Sequence, residues 1–139
     1  MKQLHFTYEI PGDDFNRAGD ASSAVKKNLK QIGYSGEAIR RTVIAMYEGE
    51  INTVIHGGGG RAEVTVFPDH VEILLIDEGP GIPDLEKAMT EGFSTAGAEI
   101  RSMGFGAGMG LPNIKKYSDE LKIDTAPGEG TTLFIRVNA

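Results

Sequence analysis

The sequence predicts a two-layer α/β sandwich, in which a mixed, mostly antiparallel β-sheet is covered by helices on one face. Segments in which apolar and polar residues alternate, as in half-buried strands, occur near both ends of the chain and in its middle. Two longer segments with a helical spacing of apolar residues follow the first strand. Because 40% of the 139 residues are hydrophobic, residues 1–139 are expected to form a single domain with its own core.

The first half of the chain predicts one strand and two helices. Alternation over residues 4–10 predicts the strand. Apolar residues at helical spacing over 18–32 predict the first helix, which Gly33 would end as a C-terminal cap. Ser35 is placed to cap the N-terminus of a second, longer helix that stops at Gly57.

The second half of the chain predicts the rest of the sheet. Strands over 61–67 and 71–76 would form a hairpin, and the second of them is nearly all apolar, which favours a central position and burial on both faces. The other predicted elements are a short helix over 84–89, a mobile loop over 92–103, a third helix over 112–117, and strands over 120–125 and 131–137. The chain has no internal repeat and no linker, which agrees with one sheet and one core.

The composition argues against several functional classes. The formal net charge of −6 and the pI of about 5.0 argue against a nucleic-acid or anionic-membrane surface, because such surfaces need clustered Lys and Arg. Without cysteine there is no disulfide, thiolate metal site or thiol nucleophile. The N-terminus lacks the apolar core of a signal peptide, and no apolar run approaches the roughly 18 residues of a membrane span. A cytoplasmic protein without a membrane or nucleic-acid partner is therefore expected.

Glu48 and Asn52 are the first candidates for chemistry. They are four residues apart in the second predicted helix, so their side chains share one face. They lie at the edge of its apolar arc, and a half-buried carboxylate needs a partner. Asn52 offers a neutral oxygen that suits Mg²⁺, while Glu48 would orient or deprotonate a water or hydroxyl nucleophile. The alternative is an ordinary surface pair, and His56 on the same face fits a capping or packing residue.

Asp77 ends the most apolar predicted strand, where a carboxylate is costly unless a donor reaches it. Adenine would supply that donor, since its exocyclic amine carries N–H groups where guanine presents an acceptor. Gly79 and Gly81 have no side chains, so a flat ring could lie against the backbone that follows Asp77. Thr131 adds a hydroxyl near a sharp turn. The alternatives are an Asp-x-Gly turn at Asp77 and simple β-turn chemistry at Thr131.

Residues 104–110 read Gly-Phe-Gly-Ala-Gly-Met-Gly, with glycine at every second position. Glycine lets a ligand approach the main-chain N–H groups, and a helix starting near Pro112 would add unpaired N–H groups suited to phosphate. The spacing matches neither G-x-G-x-x-G nor G-x-x-x-x-G-K-[ST], so a plain flexible loop is the alternative. The candidate phosphate-binding residues are Gly104, Gly106, Gly108, Gly110 and Leu111.

The order and spacing of these motifs are more specific than any single motif. E-x-x-x-N on a helix is followed by a strand pair, D-x-G-x-G, a loose segment, a glycine-rich stretch that opens a helix, and G-x-G-T. Over nearly its whole length the sequence resembles the GHKL superfamily of ATP-binding domains, and within it the small anti-sigma factors and serine-protein kinases of bacterial stress and sporulation switches. The resemblance implies that ATP lies between helices and sheet, under a mobile lid over about 82–109.

The resemblance also implies a role for each candidate residue. The implied roles are Glu48 as the catalytic carboxylate, Asn52 as the Mg²⁺ ligand, Asp77 with Gly79 and Gly81 at adenine, Thr131 in support of that site, and the glycines of 104–110 at the phosphates. Two features depart from the nearest kinases, namely a somewhat longer lid and a run of four glycines over 57–60.

The implied activity is transfer of the γ-phosphoryl group of Mg-ATP to a serine or threonine of a small regulatory protein. The expected partner is an anti-sigma-factor antagonist or a sigma factor, and a homodimer formed through the sheet is a further expectation. Two alternatives stay open at this point. The domain would act as an ATP-gated binding switch without phosphoryl transfer, or as an ATPase module of the same superfamily in another pathway.

Overall fold

The computed structural model describes residues 3–12, 19–55, 58–79, 110–126 and 128–139. In chain order, the described elements are β1 (Leu4–Pro11), α1 (Asp20–Ile32), α2 (Gly36–Ile55), β2 (Gly59–Val66), β3 (His70–Asp77), α3 (Gly110–Tyr117), β4 (Glu120–Ala126) and β5 (Gly130–Asn138). The two-layer α/β fold predicted from the sequence is confirmed. The predicted helix over 84–89, the loop over 92–103 and most of the lid lie outside the described residues.

Local capping signals place the helix ends close to where the sequence predicts them. Gly33 adopts φ 98° after α1, and its N–H reaches the carbonyl oxygens of Leu29 and Lys30, as in a left-handed C-terminal cap. At the start of α2, the Ser35 hydroxyl accepts a hydrogen bond from the Ala38 N–H at 3.2 Å. Helix α3 begins two residues earlier than predicted, because proline is tolerated in the first turn of a helix.

The strand order is β1-β2-β3-β5-β4, and β3 is central, as its apolar sequence predicts. Each neighbouring pair in this described sheet is antiparallel, so the expected mixed character is not found. The reason is topological. Strand β4 runs parallel to β3, but β5 lies between them and pairs antiparallel with both.

The inner face of the sheet supports the helices and ends in a polar row. Alternate residues of β3 (Val71, Ile73 and Leu75) are buried beneath the helices. At the end of the sheet, the strand registers place four residues side by side in what we call the terminal row: Gly60, Asp77, Thr131 and Thr125. The apolar core therefore stops at an edge made of a glycine, a carboxylate and two hydroxyls.

The outer face of the sheet is only partly covered. On β3, Glu72, Leu74 and Ile76 point outward and are half-buried, so the expectation that this strand is buried on both faces is wrong. The apolar run instead reflects side chains that pack against their cross-strand neighbours, such as Leu74 beside Phe134. Among the described helices, none is long and apolar enough to cross a membrane.

Helix α2 packs between α1 and α3 and lies very close to the sheet at Gly49. A Cβ atom at Gly49 would overlap Cδ1 of the buried Leu75 and would lie 3.7 Å from Cδ1 of Ile114 on α3. The absent side chain thus lets α2 approach both β3 and α3 at the residue next to Glu48. This close approach sets the distance from the sheet of Glu48, the candidate catalytic residue, and of Asn52, the candidate Mg²⁺ ligand.

Candidate functional site

Asp77 is fixed in the terminal row by backbone donors. Its Oδ1 atom accepts hydrogen bonds from the Gly79 N–H at 2.9 Å and from the Thr131 N–H at 3.2 Å. The residue is only 8% exposed. The structure thus brings together three sequence-predicted site residues. The donors that it shows at Asp77 are main-chain amides, and the Gly79 bond is the Asp-x-Gly turn that the sequence offered as the alternative to adenine binding. Both of these bonds use Oδ1, so a ligand can be recognised through Oδ2.

Thr131 lies beside Asp77 in the register of β3 and β5 and is 5% exposed. Its hydroxyl oxygen is 2.9 Å from that of Thr125 on β4. Gly130, with φ 87°, is required here because a Cβ atom would overlap the main-chain oxygen of Asp77. Thr125 was missed in the sequence, since only the register of the β4–β5 hairpin shows that it joins Asp77 and Thr131.

Two open hollows border the terminal row. The larger, of about 460 Å³, includes Gly60 and Asp77 in its lining, together with the acidic side chains of Glu9 and Glu78. The smaller, of about 150 Å³, is lined in part by Thr125 and Thr131. Both hollows are also lined by outward-facing residues of the adjacent row, among them Arg61, Ile76 and Thr132, so they open at the polar end of the sheet toward its outer side. The apolar rows of the inner face are covered by helices.

Glu48 is half-buried in α2, as expected for the edge of an apolar arc. Burial raises the pKa of its carboxyl group above the ordinary value, and a hydrogen bond with the Asn113 side chain of α3 partly opposes this rise. A carboxylate of raised pKa accepts a proton more readily than an ordinary one, which suits a general base. Asn113 is a second residue that the sequence reasoning missed, although its position just after the glycine stretch is a usable signal.

Asn52 is half-buried one turn beyond Glu48. Its amide oxygen and the Glu48 carboxylate are oxygen donors of the kind that Mg²⁺ prefers. Among the residues that the structure describes, no group of three or more His, Cys, Asp or Glu side chains is arranged to hold a metal ion. A cation at Asn52 would therefore take most of its ligands from water and phosphate oxygens, which is the usual arrangement for Mg²⁺.

The path of the chain brings Asn52 toward the terminal row. Gly49 lies over Leu75, which is two residues before Asp77 on the same face of β3. From Gly49, α2 continues toward its end at Ile55, and the chain then enters β2, where Gly60 pairs with Asp77. The C-terminal part of α2 thus leads from above Leu75 to the polar end of the sheet, with Asn52 on the way.

The candidate phosphate residues are only partly within the described chain. Gly110 is the first residue of α3, and Leu111 is 4% exposed and belongs to the hydrophobic core. Leu111 can therefore bind a phosphate only through its main-chain N–H, which lies in the first turn of α3. The predictions for Gly81, Gly104, Gly106 and Gly108, like that for His56, fall outside the described residues.

Comparison with known proteins agrees with this arrangement. Residues 37–139 match the family model described as histidine kinase-, DNA gyrase B- and HSP90-like ATPase. The chain is 33% identical to the serine/threonine-protein kinase RsbT of Bacillus subtilis over 75% of each chain. It is 32% identical to the anti-sigma F factor of Thermoanaerobacter sp., over 94% of this chain and 88% of the relative.

Two solved structures share the fold. One contains the RsbU and RsbW domains of a Mycobacterium tuberculosis protein, with a TM-score of 0.59 and 19% identity; the match covers this whole chain but only 33% of that longer one. The other is the mycobacterial sensor histidine kinase MprB, with a TM-score of 0.53 and 18% identity over 97% of both chains. The family match spans α2, the whole of the terminal row and α3, and the chain therefore belongs to the histidine kinase-, DNA gyrase B- and HSP90-like ATPase family.

Proposed function

We propose that this protein is a serine/threonine-protein kinase that transfers the γ-phosphoryl group of Mg-ATP to a small regulatory protein. The observation that carries the proposal is a half-buried carboxylate of raised pKa, Glu48, one turn from Asn52 on the helix that leads to the terminal row. Family membership supports ATP as the nucleotide. The relatives named as a serine/threonine kinase and as anti-sigma factors support the regulatory role.

In this proposal the terminal row binds the adenine ring. Oδ1 of Asp77 is held by the Gly79 and Thr131 amides, so the carboxylate stays in place when a ligand leaves. Its other oxygen, Oδ2, accepts an N–H of the exocyclic amine of adenine. The first-turn amides of α3 and the glycines before it take the phosphates, because the N-terminus of a helix presents unpaired N–H groups to anions.

Glu48 acts as the base for the acceptor hydroxyl. It removes the hydroxyl proton as the serine or threonine oxygen forms its bond to the γ-phosphorus, and the bond from that phosphorus to the β,γ-bridging oxygen breaks to release ADP. Asn52 provides an amide oxygen for Mg²⁺, which when bound neutralises charge on the transferring phosphoryl group. Asn113 keeps the Glu48 carboxylate oriented from the side of α3.

The experiment that tests this proposal uses radiolabelled ATP and candidate antagonist or sigma-factor partners. Glu48→Gln should bind ATP but transfer phosphate about 10²- to 10⁴-fold more slowly than the wild type. Asp77→Asn should lose ATP binding itself. Glu37→Gln, at the exposed start of the same helix, is the matched control and should transfer at the wild-type rate. A wild-type transfer rate in Glu48→Gln would show that Glu48 is not the base.

The second candidate function is an ATP-gated binding switch, favoured by the relatives whose name is anti-sigma F factor. In this case the protein would hold a sigma factor or an antagonist only in one nucleotide state. Mass spectrometry of the partner after incubation with Mg-ATP separates the two functions. A mass increase of one phosphate supports the kinase, whereas nucleotide-dependent binding without that increase supports the switch.

We further propose that two copies pair through the outer face of the sheet. One row across this face reads Glu63, Leu74, Phe134 and Lys122 in strand order β2-β3-β5-β4. A two-fold axis parallel to the strands, between β3 and β5, would reverse this order in the second copy. Glu63 would then face Lys122 of the second copy, and Leu74 would face Phe134. In the adjoining row of the same face, Glu72 would likewise face Arg136 of the second copy.

A further inference from the structure

We propose that Thr125 is a specificity-determining residue for the purine base, because it takes the hydroxyl proton of Thr131 and thereby fixes Thr131 as a hydrogen-bond acceptor. This inference rests on the proposed function, since it concerns the adenine of the bound nucleotide. It adds a residue of β4 to a base site otherwise built from β3 and β5.

The position of Thr125 follows from the strand registers. Thr131 is paired directly with Asp77 on one side and with Thr125 on the other. Paired residues of neighbouring strands point to the same face, so the carboxylate and both hydroxyls project toward the helices from one row. Thr125 is half-buried and Thr131 nearly fully buried, so their contact is largely protected from water.

The 2.9 Å contact between the Thr125 and Thr131 hydroxyls allows either oxygen to donate, and the carbonyl oxygen of Gly130 beside Thr125 favours one of the two directions. The Thr125 hydroxyl lies 3.3 Å from the Gly130 carbonyl oxygen, which can only accept a hydrogen bond. A hydroxyl carries a single proton. When Thr125 donates it to Gly130, the 2.9 Å contact between the two threonine hydroxyls requires Thr131 to donate to Thr125. Thr131 then has no proton left for a ligand, and its oxygen is an acceptor.

The two groups of the row that face a base would then both be acceptors. Oδ1 of Asp77 is occupied by backbone amides, which leaves Oδ2, and the Thr131 oxygen stands beside it. The exocyclic amine of adenine carries two N–H donors and satisfies this pair. Hypoxanthine carries an oxygen at the same position, so it would leave buried acceptors facing another acceptor.

Loss of the Thr125 hydroxyl should relax this selection. In Thr125→Val the shape is nearly kept, but the Thr131 proton is free to turn toward the ligand and donate to the oxygen of hypoxanthine. We expect the preference for ADP over IDP to fall by about 2- to 10-fold, the effect of one hydrogen bond. Thr125→Ser keeps the hydroxyl and should retain the wild-type preference.

The test is calorimetric titration of the full chain with ADP and with IDP, which differ in the base and contain no transferable γ-phosphate. Thr132→Val is the matched control, because Thr132 follows Thr131 and points to the opposite face of the sheet. Thr125→Ala removes the same hydroxyl without adding a methyl group, so it gives the same prediction independently of how valine packs. Thermal unfolding of each variant verifies that it is folded.

The expected result is a reduced preference in Thr125→Val and Thr125→Ala, with Thr125→Ser and Thr132→Val like the wild type. An unchanged preference in Thr125→Val and Thr125→Ala, in a wild type that favours ADP, overturns the role of Thr125 and leaves the proposed kinase function intact. A wild type that binds IDP as tightly as ADP overturns this inference together with the assignment of Asp77 to adenine. The kinase proposal is tested separately, by phosphate transfer in Glu48→Gln.

Discussion

At the scale of single residues, Glu48 shows how two opposing effects set the properties of a candidate base. Burial in α2 raises the pKa of its carboxyl group, and the hydrogen bond with Asn113 lowers it again in part. Asn113 lies in α3, which begins directly after the glycine stretch. The proton affinity of the base therefore depends on a helix that also borders the predicted phosphate site.

Replacing Asn113 should raise the pKa of Glu48 further. In Asn113→Leu the opposing hydrogen bond is lost while burial remains, and in Asn113→Asp a negative charge near the carboxylate adds to the effect. The pH titration of the Glu48 carboxyl carbon by NMR should move to higher pH in both variants, and more in the aspartate variant. Ser118→Ala, directly after the end of α3, should leave the titration unchanged.

The pH dependence of the phosphate-transfer rate should show the same rise in the pKa of Glu48. A general base works only when deprotonated, so the acid side of the pH–rate profile should move to higher pH in Asn113→Leu. A slower rate with an unchanged pH profile would mean that Asn113 acts only on the structure of the α2–α3 contact.

At the scale of secondary-structure elements, Glu50 joins α1 to α2. The N-cap residue of α1 is Gly19, which has no side chain to cap the helix. Glu50 replaces that cap from α2, since its carboxylate accepts the N–H groups of Gly19, Ala21 and Ser22 and the hydroxyl of Ser22. It is only 2% exposed. A buried carboxylate is tolerated here because four donors converge on it.

Glu50→Gln should lower the free energy of unfolding by about 1.5–3 kcal/mol, because an amide accepts these hydrogen bonds with one oxygen and turns a donor toward the others. Urea denaturation measures the change. Glu37→Gln, exposed in the first turn of the same helix, should cost less than about 1 kcal/mol. Equal losses in the two variants would contradict the capping role of Glu50.

Asp119 connects β4, β5 and α2. The pKa of its carboxyl group is lowered, first by a hydrogen bond from the Asn138 N–H at 2.7 Å and then by Arg41 at 3.0 Å. A carboxyl group whose pKa is lowered by folding stabilises the protein above its ordinary value of about 3.9. That contribution is lost as the pH falls through the lowered pKa of the folded state, where the group becomes protonated.

Asp119→Asn should therefore remove part of the acid sensitivity of the protein. The variant should be less stable than the wild type at pH 6, and the difference should shrink as the pH falls below about 4. Urea midpoints measured from pH 6 to pH 2.5 check this expectation. Asp124→Asn, exposed near the other end of β4, is the control. A constant difference across the range would show that Asp119 contributes through packing rather than charge.

These elements also show what the sequence could and could not predict. The caps at Gly33 and Ser35 were predictable because each depends on residues within one helical turn. The pairing of Glu48 with Asn52 was predictable for the same reason, since helical periodicity alone puts them on one face. The capping role of Glu50 was not predictable, because the groups that donate hydrogen bonds to its carboxylate lie 28 to 31 positions away in the chain.

At the scale of the whole molecule, the two faces of the sheet have different roles. The inner face carries the core and ends in the terminal row, while the outer face has a half-buried apolar centre with charged residues on either side. The sequence predicted helices on one face, but the order of charges across the other appears only when the strand order β2-β3-β5-β4 is known. That order motivates the proposed homodimer.

The proposed pairing predicts the effect of exchanging charges within one row. In Glu63→Lys, the new lysine would face Lys122 of the second copy, and in Lys122→Glu two glutamates would meet in the same way. Each single variant should dissociate into monomers at concentrations where the wild type is a dimer, because like charges in contact are unfavourable. The double variant restores opposite charges at both contacts and should dimerise again. Light scattering after size-exclusion chromatography measures the mass.

Phe134→Glu, at the centre of the row, is the complementary variant. It should give a monomer that no charge exchange rescues, because an apolar contact is replaced by a buried carboxylate. Thr7→Glu, on the edge strand β1 of the same face, lies outside the four-strand contact and should remain dimeric. Rescue by the double variant is the decisive observation, since a general loss of folding would not be reversed by a second substitution. A wild type that stays monomeric, or single variants that remain dimers, would exclude pairing in this register.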